Sequence, residues 1–108
     1  MRNDAIQPED ISRLIEAEVA GNWDRSNAHG VDLRTSLVSP QRKLFRCQTG
    51  ETRGLRLVLE ENPKSRGGYK IVFDEVRGEF GLATADVTNP VDFFLGIYGS
   101  FIESFDAM

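Results

Sequence analysis

Apolar positions recur along this chain with two periods, and the change from one to the other lays out its elements. Ile11, Leu14, Ile15 and Val19 follow one another at helical spacing. Pro8 suits a first helical position, where its missing N–H costs nothing, and Glu9 and Asp10 favour the positive end of the helix dipole. Gln7 is the expected cap, Ile6 and Ile11 are placed to form a hydrophobic staple, and Gly21 is the expected stop. The spacing predicts a helix over 8–20. A polar loop from Gly21 to Gly30 follows and holds both Trp23 and His29.

Beyond the loop the period falls to two, as in a half-buried strand. Val31, Leu33, Thr35 and Leu37 alternate with Asp32, Arg34, Ser36 and Val38, and Ser39-Pro40-Gln41 reads as a turn. A second strand runs over 43–47 with Phe45 and Cys47 on one face. The third is the clearest, with Leu55, Leu57 and Leu59 on one side and Arg56, Val58 and Glu60 on the other. Breakers fill 62–68. Tyr69, Ile71 and Phe73 then alternate with Lys70, Val72 and Asp74, and a turn at Arg77-Gly78 leads into a strand over 79–84. Asn89 and Pro90 look like a cap and first helical residue. Phe94, Ile97, Tyr98, Phe101, Ile102 and Phe105 repeat at three and four, predicting an apolar helix over 90–105 despite Gly96 and Gly99. A close glycine pair can also let another backbone approach.

Residues 1–108 thus form one α+β domain: an antiparallel meander of about five strands with an N-terminal and a C-terminal helix on one face. The buried face would carry Leu33, Phe45, Leu55, Leu57, Leu59, Ile71 and Phe73. With 40% hydrophobic and 28% charged residues the chain is ordinary for a globular fold, which argues against disorder. It has no apolar run near the ~18 residues of a membrane helix and no basic-then-apolar leader. Its single Cys rules out an internal disulfide and its single His a multi-His metal site. A lone thiol suits a reducing cytoplasm, the expected compartment.

Charge is distributed unevenly. Residues 1–33 carry three Arg against seven acids, 34–77 carry ten Lys and Arg against five, and 78–108 carry five acids and no base. A basic middle between acidic ends can mark an anionic partner or self-neutralisation. If the leucine-bearing positions face the helices, Arg34, Arg46, Arg56 and Lys70 line the open face of the sheet beside Leu44, Val58 and Val72. Their stems can cover that ground while the heads stay wet. Guanidinium forks there would suit a protein partner with an acidic surface, or a homodimer partner offering its acidic helices. Nucleic acid is disfavoured, because Phe45, Tyr69 and Phe73 share the apolar parity instead of forming a stacking platform.

Candidate chemistry is sparse. Cys47 and His29 form the sole Cys/His pair, but Cys47 falls mid-strand on the apolar face, where a thiol is usually inert. Asp24 and Asp32 flank His29 in a way that loop capping also explains. The acids show no spaced metal cluster, and neither Gly67-Gly68 nor Gly78-Glu79-Phe80-Gly81 has the context of a phosphate loop. No cofactor is expected. Trp23 either folds over the core edge or stands as a recognition anchor, and Tyr98 has its hydroxyl at the rim of the core.

The segment Gly21-Asn22-Trp23-Asp24-Arg25-Ser26, ending in Gly30-Val31, resembles a Gly-Asp-Trp-Glu-like motif that some small bacterial toxin-immunity proteins carry between a helix and a strand. Asn22 and Asp24 stand here where the motif has Asp and Glu. The resemblance implies a non-catalytic inhibitor that binds its toxin with Trp23 as anchor. The stretch Leu55 to Leu82 also resembles small bacterial proteins to which no function attaches. The resulting expectation is a non-enzymatic interaction module, binding through the basic face or the Trp23 loop. A small enzyme around the Trp23–His29 loop and a nucleic-acid-binding domain are the alternatives.

Overall fold

A computed structural model describes residues 7–61, 68–86 and 88–108. Ile6, and with it the expected staple, and the breaker-rich 62–67 lie outside the described residues. The element order is α1 (Pro8–Val19), α2 (Leu33–Ser36), β1 (Leu37–Arg46), β2 (Thr52–Glu60), β3 (Tyr69–Asp74), β4 (Glu79–Asp86), β5 (Asn89–Gly99) and α3 (Phe101–Ala107). Successive strands pair antiparallel, in meander order. The sheet is not open, however: β1 meets β5 in parallel at Arg46 and Phe93, closing a five-stranded barrel. With an odd number of meandering strands, closure forces one parallel pair.

The first helix begins where expected. The Gln7 backbone N–H donates to Asp10 Oδ2 at 3.0 Å, and Pro8 opens the first turn. It ends one residue early, at Val19: Ala20 is the cap (φ 51°), and Gly21 after it is left-handed as expected (φ 85°). Of the alternation over 31–38, only Leu37 and Val38 become strand, as the start of β1. Asp32 caps a single helical turn, accepting the Thr35 hydroxyl at 2.8 Å, so Leu33 and Ser36 are buried together at helical spacing. Ser39-Pro40-Gln41 is not a turn but lies inside β1, where the register with β2 shifts between Leu37 and Gln41. Proline is tolerated in a strand at such an irregularity, since it has no ladder N–H to lose.

The largest departure is the C-terminal region. Asn89–Gly99 is a strand, and α3 spans only seven residues. Asn89 caps no helix; its Oδ1 accepts the Val91 N–H at 2.9 Å. Gly81 of β4 explains the close fit here. A Cβ built on it would overlap the backbone carbonyl oxygen of Gly96, so the bare Cα of Gly81 lets β4 and β5 approach.

Two apolar clusters result. Phe45, Leu55, Leu57, Val72, Ala83 and Phe94, with at least one residue from each strand, fill the barrel interior. Leu59, Val58, Ile71, Phe73, Phe80 and Leu82 instead join Ile11, Ile15 and Val19 of α1 and Phe101 and Phe105 of α3. Leu55, Leu57 and Leu59 therefore do not share one face. Leu57 pairs with Val72 and Leu59 with Ile71, two steps on β2 against one on β3, and this bulge turns the side chains over. Val58 and Val72, expected outside, are buried, and so is Lys70. Lys70 stands two residues from Val72 and pairs with Ala83, which places it in the interior.

The short α3 is held from several sides. Phe101 and Ile102 donate their N–H groups to the Glu18 carboxylate at 3.0 and 2.9 Å. Ser100 caps the helix through the Glu103 N–H. Asn27 Nδ2 donates to the Phe105 carbonyl at 2.7 Å, and Arg25 pairs with Asp106 at 2.6 Å. No helix among the described residues is long and apolar enough to cross a membrane.

Candidate functional site

Trp23 sits in the turn that follows α1. The left-handed Ala20 reverses the chain, and the Asn22 and Arg25 N–H groups donate to the Val19 and Asn22 carbonyls. Further on, Asn27 Oδ1 accepts the N–H groups of His29 and Val31, each at 3.0 Å, fixing the far end of the loop. The half-buried indole packs against the cluster shared by the helices and β2–β4. It also lines a groove of about 280 Å³ between α1 and the first half of β1, with Ser12, Ile15 and Glu16 on one wall and Leu37 to Pro40 on the other. That volume lies just below the range of about 300–1,000 Å³ typical of small-molecule sites. Ile15, Trp23, Leu37, Val38 and Pro40 give it apolar walls, and Ser12, Glu16 and Ser39 are its polar lining.

The expected basic face does not form. Arg34 is on α2, not in the sheet, and pairs with Asp24 at 3.2 Å. Arg46 pairs with Asp86, and its guanidinium carbon lies 5.3 Å from the centroid of the Phe93 ring. Arg56 reaches Glu75 at 3.2 Å. Lys70 is inside the barrel, with its Nζ 3.6 Å from Asp92 Oδ2. Each of these cations faces a carboxylate of its own chain, in separate places.

Three arginines outside that set gather with Arg56 near the β3–β4 turn. Arg42 reaches Glu75 at 2.6 Å, Arg53 reaches Asp74 at 2.7 Å, and Arg77 lies 3.9 Å from Asp74. Glu79, opposite Asp74 in the ladder, and Glu51 add negative charge at this end. Asp74 also accepts the Val76 and Arg77 N–H groups and so organises the turn. The group is balanced, which fits self-neutralisation of the basic middle of the chain. The signal that could have found it is the Asp74-Glu75 pair beside the turn, since two adjacent carboxylates in a basic segment attract its cations.

His29 pairs with neither flanking aspartate. Its Nε2 lies 2.7 Å from Glu61 Oε2, and its ring meets that of Tyr69 edge-on at 5.6 Å. The other Glu61 oxygen accepts the Tyr69 N–H at 2.9 Å. This arrangement orients an imidazole. Cys47 is not part of it: the thiol lies at the β1–β2 end, beside a groove of about 250 Å³ lined by residues 47–49, Glu51, Arg53, Phe94 and Leu95. Burial pushes that thiol up from its ordinary value, and Arg53 partly offsets the effect. The structure thus brings no nucleophile to the His29–Glu61 pair from Cys47. Among the described residues no group of three His, Cys, Asp or Glu is placed to hold a metal ion. Tyr98 is exposed on β5.

Compared with protein-family models, with curated proteins and with solved structures, the chain matches none.

Proposed function

We propose that this protein is a non-enzymatic interaction module that takes an apolar side chain of a protein partner into the groove beside Trp23. The observation that carries the reading is the position of the indole: it is half-buried and forms part of an open apolar groove between two elements. Tryptophan in such a setting offers a large, rigid contact area with a polar N–H, the profile of an interface hot spot. The Trp23 segment is also the one that resembles the immunity-protein motif, so an inhibitor that docks through this loop is one form of the same reading. The partner's anchor would be flanked by cations rather than acids. Glu16 is the charged residue that lines the groove, whereas the cations expected to recruit an acidic partner are paired within the chain.

Selection of a displayed random-peptide library on the immobilised chain tests this. Selected peptides are expected to hold an aromatic or aliphatic anchor beside Lys or Arg. Trp23→Ala, with its circular dichroism unchanged, should weaken them roughly thirtyfold, the effect of losing a hot spot worth about 2 kcal/mol. Peptides that bind the variant equally well, or a selection that enriches nothing, would contradict the proposal.

A further inference from the structure

We infer that α3 braces the two walls of the Trp23 groove, with Glu18 and Asn27 as the positioning residues at its two ends. The inference rests on the docking role of the groove and adds what holds it in shape. Among the described residues the groove is lined by α1, Trp23 and the first residues of β1, and not by α3. The sheet gives the β1 wall little support. Leu37 pairs with Leu59 and Gln41 with Leu57, so Val38, Ser39 and Pro40 fall inside the register shift. Their distance from α1 depends on the chain that leads into them.

Both walls are tied to α3. At its start, Phe101 and Ile102 donate to the carboxylate of Glu18, in the last turn of α1. At its end, the Phe105 carbonyl accepts from Asn27 Nδ2 at 2.7 Å, and Met108 Sδ lies 3.4 Å from the same nitrogen. Asn27 Oδ1 accepts the His29 and Val31 N–H groups. Its carboxamide thus donates to α3 and accepts from the loop, which a carboxylate cannot do. Val31, buried in the helical cluster, leads through the α2 turn into Leu37 and the β1 wall. Arg25, two residues after Trp23, adds a second tie by pairing with Asp106 of α3. The connection runs from α1 through Glu18, α3, Asn27 and Val31 to β1, and the seven residues of α3 span about 10 Å of it. A groove held in this way is formed before its partner arrives, which removes ordering cost from binding.

Two variants release the brace at opposite ends, and neither residue lines the groove. Asn27→Asp keeps the acceptor for His29 and Val31 and loses the donor to Phe105. Glu18→Ala frees the start of α3, and either variant decides the matter if the other fails to fold. In the free chain each should shift the NMR resonances of the Trp23 indole N–H and of the Val38, Ser39 and Gln41 amides. Peptides selected on wild type should bind each variant at least about fivefold more weakly, the low end of coupling between distinct sites. Lys70→Met lowers stability from inside the barrel, and it should leave both the groove resonances and the peptide affinity unchanged. Groove resonances that stay still in the brace variants, peptides that bind those variants as tightly as wild type, or an equal loss in Lys70→Met would each overturn the inference. If peptides require Trp23 but neither brace variant weakens them, this inference fails alone. If Trp23→Ala leaves peptide binding unchanged, the docking role fails, and the groove resonances of the free chain still decide the brace.

Discussion

Lys70 and Asp92 face each other inside the barrel, Nζ to Oδ2 at 3.6 Å, both almost wholly removed from solvent. Breaking a buried ion pair from one side costs about 3–5 kcal/mol, whereas replacing both members by apolar residues is often neutral or stabilising. Lys70→Met or Asp92→Leu alone should therefore lower the urea midpoint sharply. The double variant should recover most of the loss. Additive single effects in this cycle would show that the two charges do not act as a pair.

Gly81 leaves no room for a side chain between β4 and β5, since a Cβ there would overlap the Gly96 carbonyl oxygen. Gly81→Ala forces its methyl against the Gly96 carbonyl and should cost about 1–3 kcal/mol, the range for overpacking. Gly54→Ala is the control. Its added carbon meets the flexible Arg42 stem at 3.5 Å, an ordinary contact, and its effect should stay within about 0.5 kcal/mol. Chemical denaturation of the two variants compares them directly.

Glu18 joins α1 to α3 through two N–H groups. Glu18→Ala removes both acceptors and should cost about 1 kcal/mol, the typical worth of a lost cap. Hydrogen exchange reads the effect locally: amides of 101–107 should exchange faster, while those of β2 and β3 keep their protection. Uniform acceleration across the chain would instead mean that α3 unfolds only with the barrel.

Asp86 is held below the ordinary aspartate range. The Thr88 hydroxyl contributes most, at 2.7 Å, then the Thr88 N–H at 2.9 Å, with Arg46 adding to both. Because the folded chain binds this proton less readily than the unfolded chain, the stabilisation is present above the unfolded pKa and is lost as pH falls through the folded one. Carboxyl NMR titration should place the Asp86 midpoint below that of an unstructured aspartate, and Thr88→Val should raise it. An unchanged midpoint in the variant would remove the assigned cause.

Local patterns reveal the parts of this fold whose partners are close in sequence. α1 has its cap and its acidic first turn, and β2, β3 and β4 show alternation between clear turns. β1 and β5 depend on distant residues. From Val91 to Phe101 every position that is not glycine is apolar or aromatic except Asp92 and Ser100, so helical and strand spacings are both satisfied there. The choice is made by β4, where Gly81 admits Gly96. The pattern from Val31 to Ser36 fails for a local reason, since Asp32 and Thr35 make a helical turn.

The candidate site divides along the same line. Trp23 is visible as a large aromatic residue in a polar loop, but its groove depends on β1 beginning at Leu37. The basic face requires one parity to run unbroken through Leu55, Leu57 and Leu59. The bulge between Leu57 and Leu59 breaks that parity, which moves Lys70 inside and leaves Arg42, Arg53 and Arg77 with Arg56 around Asp74 and Glu75.

The most direct measurement is an amide and indole chemical-shift map of the isotope-labelled chain titrated with a library-selected peptide. Docking at the groove predicts that the Trp23 indole N–H, Ser12 to Glu16 and Leu37 to Gln41 shift together, while residues around Asp74 and around His29 stay still. Shifts centred on the arginines near Asp74, or on His29 and Glu61, would contradict the account.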